Sequence, residues 1–167
     1  EFGYAVAPTP TLELGGDRVS STRIRAALAE ADFELAAQLL GRPFELAGRV
    51  LHGQKLGRQL DAPTANIALH RIRSPLQGVY AVRVCGGGLE EAPGVANVGV
   101  KPTIGESLEA TLEVHVLEGS PDLYGERLTV RFRHKLRDEQ KFPSLDALKA
   151  GIAADKANAR TWLANHG

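Results

Sequence analysis

The chain has a single cysteine, Cys85, and no methionine among its 167 residues. One thiol cannot close an internal disulfide, and it excludes any zinc site built from several thiolates. Such usage fits a reducing compartment. Aromatic residues make up only 5% of the chain, too few for the stacking platforms of a protein that binds single-stranded nucleic acid. An excess of one charge is also missing: 20 Lys and Arg balance 20 Asp and Glu. That balance speaks against duplex DNA or an anionic membrane as partner. No apolar run approaches the roughly 20 residues that span a bilayer as a helix. The opening residues, Glu1-Phe2-Gly3-Tyr4, show neither an initiator Met nor a signal-peptide pattern, and they read as the middle of a larger protein. What is present is ordinary globular material, 43% hydrophobic and 24% charged.

Two periodicities divide the chain. Residues 4–15 are short and proline-interrupted, like a last strand and its exit loop. Ser20-Ser21-Thr22 offers N-caps to a helix with Ile24, Ala27 and Leu28 on one face. Asp32 can cap a second, with Leu35, Ala36, Leu39 and Leu40 as its stripe and Gly41 as its stop. This pair is expected to act as a hinge between a module ending at residue 41 and another covering 42–167.

From Phe44 the period becomes two. Leu46, Gly48 and Val50 alternate with polar neighbours, and Val79 to Val84 is β-branched and aromatic between Gly78 and Gly86-Gly87-Gly88. Val95 to Val98, Leu112 to Val116 and Leu128 to Arg133 continue the pattern. Short strands with glycine-rich turns predict a mainly β fold, a small antiparallel barrel rather than a βαβ sheet. Ser144 then caps a helix carrying Leu145, Leu148, Ile152, Ala159, Trp162 and Leu163, expected to lie across the barrel.

Within this frame, Gly53, Lys55 and Gly57 form a loop able to bring backbone N–H groups to phosphate oxygens. The same glycines also suit a plain hairpin turn, and no Walker A spacing follows them. Thr64 and Asn66 sit two residues apart on an extended segment fixed by Pro63, so their oxygens project to one side, as a hard cation such as Mg²⁺ requires. Glu113 lies mid-strand between Leu112 and Val114, where a solvent-facing role is the plain reading, and His115 shares its face.

Several ordered blocks carry a resemblance. Gly48 to Asn66 with Pro63-Thr64-Ala65-Asn66, Asn97 to Thr103, Leu112 to His115, Asp122 to Gly125 and Leu136 to Phe142 together resemble the riboflavin kinase family. The resemblance implies a six-stranded antiparallel Greek-key barrel with a C-terminal helix over residues 42–167. Its activity would be phosphoryl transfer from ATP to riboflavin, giving FMN and ADP, in the cytoplasm. Thr64 and Asn66 would bind Mg²⁺ with the nucleotide phosphates, and Gly53, Lys55 and Gly57 would belong to the nucleotide loop. Glu113 would be the base, while Asn97 and Arg137 would contact flavin, the latter from a flap covering 137–142. Residues 4–41 are similar to the end of the adenylyltransferase module of bifunctional riboflavin kinase/FAD synthetases. Val19 to Arg25 is similar to that module's late nucleotide motif, with Arg23 and Arg25 as phosphate contacts in a longer parent or exposed helix arginines here. The earlier His-x-Gly-His motif is absent, so this chain by itself is not expected to make FAD. Asp61-Ala62 departs from the family pattern. A flavin-binding barrel without kinase activity is the alternative.

Overall fold

The computed structural model describes Gly3 and residues 10–51, 64–69, 74–102, 108–119 and 121–166. The first described elements are a short hairpin of two-residue strands, β1 (Glu13–Leu14) and β2 (Asp17–Arg18), turned by Gly15 and Gly16 at φ 66° and 85°. Both values favour glycine. Two helices follow, α1 (Ser21–Ala29) and α2 (Phe33–Leu40). Their predicted caps form: Ser20 Oγ accepts from Arg23 N at 3.2 Å and Asp32 Oδ1 from Leu35 N at 2.9 Å. Gly41 ends α2 in the left-handed region.

Six strands then close a barrel: β3 (Glu45–Leu51), β4 (Ala65–Ile67), β5 (Gly78–Gly86), β6 (Leu89–Pro102), β7 (Leu108–Val116) and β8 (Arg127–Arg137). Around the barrel they run β3-β4-β7-β6-β5-β8, every pair antiparallel. Strands β5, β6 and β7 form a meander and β4 lies beside its far edge, which is the expected Greek key. Strand β6 is longer than the sequence suggested and passes through Pro93, Gly94 and Gly99. Those residues weaken isolated strands, but here β5 and β7 pair with β6 from both sides.

Inward residues such as Val50, Ile67, Val82, Val98, Leu112, Val114, Leu128 and Val130 make the aliphatic core. One part of that core is aromatic. Phe132 lies 5.3 Å from Tyr80, 6.0 Å from Phe33 and 5.9 Å from Phe44, between ring centroids. Phe33 belongs to α2, and Ala27, Leu28, Ala36 and Leu39 join the same cluster. Packing therefore crosses the division expected near residue 41. The helical pair is built into the barrel's core.

The last helix, α3 (Leu145–His166), begins where Ser144 Oγ accepts from Ala147 N at 3.1 Å. It packs on the outer face of the barrel through Ala159 and Leu163 against Ala81 and Leu117, with Val95, Leu136 and Trp162 alongside. This explains why β5 is buried on both faces from Gly78 to Val82. Three arginines fasten the arrangement: Arg83 donates to Leu163 O (3.3 Å), Arg133 to His166 O (2.9 Å) and Arg160 to Leu117 O (3.1 Å).

Candidate active site

Strand register assembles the site. Asn66 on β4 lies opposite Glu113 on β7, and Glu113 lies opposite Asn97 on β6. The row continues outward to Leu51 on β3 and, beyond Asn97, to Val79 and then Arg137. Side chains directly opposite in such pairs have Cβ atoms about 4.5–5.5 Å apart, so one carboxylate stands between two amides. Alternation sets the side they occupy. Ala65, Ile67, Leu112, Val114, Ala96 and Val98 are buried inward, which leaves Asn66, Glu113 and Asn97 on the outer face, each half-buried. Thr64, two residues before Asn66, shares this face and is also half-buried.

Asn97 carries a polar atom left over from folding. Its Oδ1 is buried and, among the described residues, has no hydrogen-bond partner. Unsatisfied buried acceptors are rare in folded chains, and one beside a carboxylate suits a donor arriving with a ligand.

The segment after β8 lies on the same face. Glu139 Oε1 occupies the space a Cβ on Gly99 would need, so the Glu139 carboxylate rests directly on the Gly99 backbone. Gly99 is two residues from Asn97 and points the same way. The base of the segment is held by Lys135, whose Nζ lies 2.7 Å from Asp138 Oδ1. That hydrogen bond raises the Lys135 pKa.

Arg137 ends the row with its guanidinium turned to the last helix. Nε donates to Asp155 Oδ1 at 2.8 Å, Nη2 to Oδ2 at 2.7 Å and Nη1 to Asp138 O at 2.9 Å. Asp155 is only 6% exposed. Sequence reading missed it, although a signal was available: Asp155 falls in the apolar stripe between Ile152 and Ala159. Arg23 also takes a structural place, donating to Leu14 O (3.0 Å) and Asp17 O (3.1 Å) and so bracing the first hairpin. Arg25 is an exposed helix residue. Gly53, Lys55, Gly57 and Asp61-Ala62 lie outside the described residues.

Among the described residues no group of three or more His, Cys, Asp or Glu could hold a metal ion. The hydroxyl of Thr64 and the amide of Asn66, half-buried beside Glu113, are hard oxygen donors. They fit a cation such as Mg²⁺, which is typically held by a few protein oxygens, waters and substrate phosphates. Among the described residues no helix is long and apolar enough to cross a membrane.

The Flavokinase (riboflavin kinase) family matches residues 40–163. A bifunctional riboflavin kinase/FMN adenylyltransferase of Pseudomonas fluorescens is 59% identical over 97% of this chain and 52% of its own. The chain spans about half the length of the curated relatives it matches. Among solved structures, a protein from Streptococcus pneumoniae called a macrolide-efflux protein is similar at TM-score 0.78 and 35% identity, over 92% of this chain and 50% of its own. Riboflavin kinase from Trypanosoma brucei is similar at TM-score 0.52 and 28% identity, over 72% of this chain and 80% of its own. With its closed barrel, its ordered motifs and this span of agreement, the chain belongs to the riboflavin kinase family.

Proposed function

We propose that this domain transfers the γ-phosphoryl group of Mg-ATP to the 5′-hydroxyl of riboflavin, releasing FMN and ADP, with Glu113 as the base. The observation that carries the reading is the row Asn66–Glu113–Asn97, which sets one carboxylate between two amides on the outer barrel face. Phosphoryl transfer asks a protein mainly for positioning and charge neutralisation. Glu113 supplies the remaining need by taking the proton from the attacking hydroxyl as its oxygen bonds to phosphorus and ADP leaves. Thr64 and Asn66 would hold the cation, and Gly53, Lys55 and Gly57 would belong to the nucleotide loop. Bound Mg²⁺ neutralises negative charge on the phosphates. Asn97, with its unsatisfied Oδ1, and Arg137, with the segment it anchors, form the flavin side.

The cytoplasm, where ATP is plentiful, is the compartment this reading implies. The greater length of the relatives, and the second activity in their names, support a parent protein that also adenylylates FMN, with residues 1–41 as the end of its adenylyltransferase module.

FMN formation from riboflavin and Mg-ATP tests the reading directly. Glu113→Gln should lower kcat by about 10²–10⁴-fold, the usual weight of general-base assistance. Asn66→Ala should lower it as well and weaken its Mg²⁺ dependence. A folded chain that binds flavin but shows no ATP-dependent turnover would sink the kinase reading in favour of a flavin-binding barrel. Unchanged rates in both variants would remove the residue roles.

A further inference from the structure

We propose that Asp155 is a positioning residue for the flavin side of the site: through Arg137 it holds the segment Asp138–Phe142 against the barrel beside Asn97. This rests on the kinase reading above. The starting point is a carboxylate where an aliphatic side chain would serve. Asp155 is 6% exposed on the packed stripe of α3. A buried ion pair is rarely more stabilising than a well-packed apolar pair of similar volume, so stability alone does not account for it.

Its geometry does. Arg137 is the last residue of β8, directly before the segment, and both Asp155 oxygens engage it, at 2.8 and 2.7 Å. A bidentate pair of this kind fixes the orientation of the guanidinium plane as well as its place. The third donor of Arg137 reaches Asp138 O, inside the segment. Its cationic carbon also lies 5.5 Å from the centre of the Phe142 ring, at the segment's other end. Phe142 is seated in turn. A Cβ on Gly151 would come within 2.5 Å of its ring, so the ring lies on the bare backbone of α3 one turn before Asp155. One carboxylate thus organises both ends of the segment, and between them Glu139 rests on Gly99, two residues from Asn97.

Segments held over a site exclude water and complete the binding surface. The segment reaches β6, whereas Thr64 and Asn66 are at β4, on the other side of β7. Loosening Asp155 should therefore weaken the flavin side and spare the nucleotide side. A purely structural role predicts no such division.

Asp155→Asn keeps the shape and removes the charge. In steady-state kinetics, KM for riboflavin should rise about tenfold while KM for ATP stays within about twofold. Tryptic cleavage after Lys141, inside the segment, should accelerate in the same variant. Phe142→Ala, which removes a half-buried side chain outside the core, should give the same division to a smaller extent, and it decides the matter should Asp155→Asn fail to fold. Riboflavin KM at the unmutated value in a folded variant, or riboflavin and ATP constants rising together, would overturn the proposal. An unmutated chain that makes no FMN would overturn the kinase reading instead; equal cleavage rates at Lys141 would then overturn the positioning role by themselves.

Discussion

The barrel has one interior and two different exteriors. Under α3, the outward residues of β5 and β8 include Ala81 and Leu136, small or apolar, closed over by Ala159, Leu163 and Trp162. Across β4, β7 and the part of β6 beyond Val95, the outward residues include Thr64, Asn66, Glu113 and Asn97, polar side chains rather than apolar ones. Both exteriors stand on the same aliphatic wall of Val82, Val98, Val114 and Val130. The wall holds the fold, so the outward positions are free to differ: one exterior takes on packing, the other chemistry.

That contrast can be broken by substitution. The largest stability effect should come from Phe33→Ala, which takes the α2 ring out of the Tyr80–Phe132 cluster. A loss of about 3–5 kcal/mol is expected, read from urea unfolding. Leu163→Ala on the covered exterior should cost about 2–5 kcal/mol, with Trp162, the only tryptophan, reporting the release of α3 by fluorescence. Glu113→Gln on the open exterior should leave Tm close to the unmutated value while removing most activity. Should Leu163→Ala spare Tm, or Glu113→Gln lower it as far, the division of labour between the two exteriors fails.

A smaller effect sharpens the picture of the wall itself. The Tyr80 hydroxyl donates to Gln77 O at 2.8 Å and accepts from Gln77 N at 3.1 Å, tying down the approach to β5. Tyr80→Phe should cost about 1–2 kcal/mol near neutral pH. Burial pushes the Tyr80 phenol above its usual range, against the pull of the Lys135 ammonium. The folded chain therefore retains this proton more strongly than the unfolded one. The corresponding stability is complete below the ordinary phenol range and is lost as pH rises through the raised value. The gap between parent and Tyr80→Phe should narrow in strong alkali. A constant gap would show that Tyr80 does not titrate with folding.

Much of this was legible before any coordinates. Helix caps at Ser20, Asp32 and Ser144 are local side chain-to-backbone contacts, and all three form as read. Alternation in β3, β7 and β8 names the inward residues, since period two is a property of the extended backbone. Thr64, Asn66 and Glu113 could be singled out as candidates by residue type and motif. Strand β6 was underread because proline and glycine penalties are local, whereas pairing from both sides is not.

Residue types and their spacing therefore settle a good deal: a barrel wall, a capped last helix, a carboxylate and an amide on outward strand positions. They leave open that Asn66, Glu113 and Asn97 stand side by side, for register between strands this far apart in sequence is set by closing the barrel. They leave open too that Arg137 is held by Asp155, 18 residues further on, and that Phe33 from α2 completes the barrel's aromatic cluster. Local preferences act over a few residues, and these contacts exist only once distant segments have been packed against one wall.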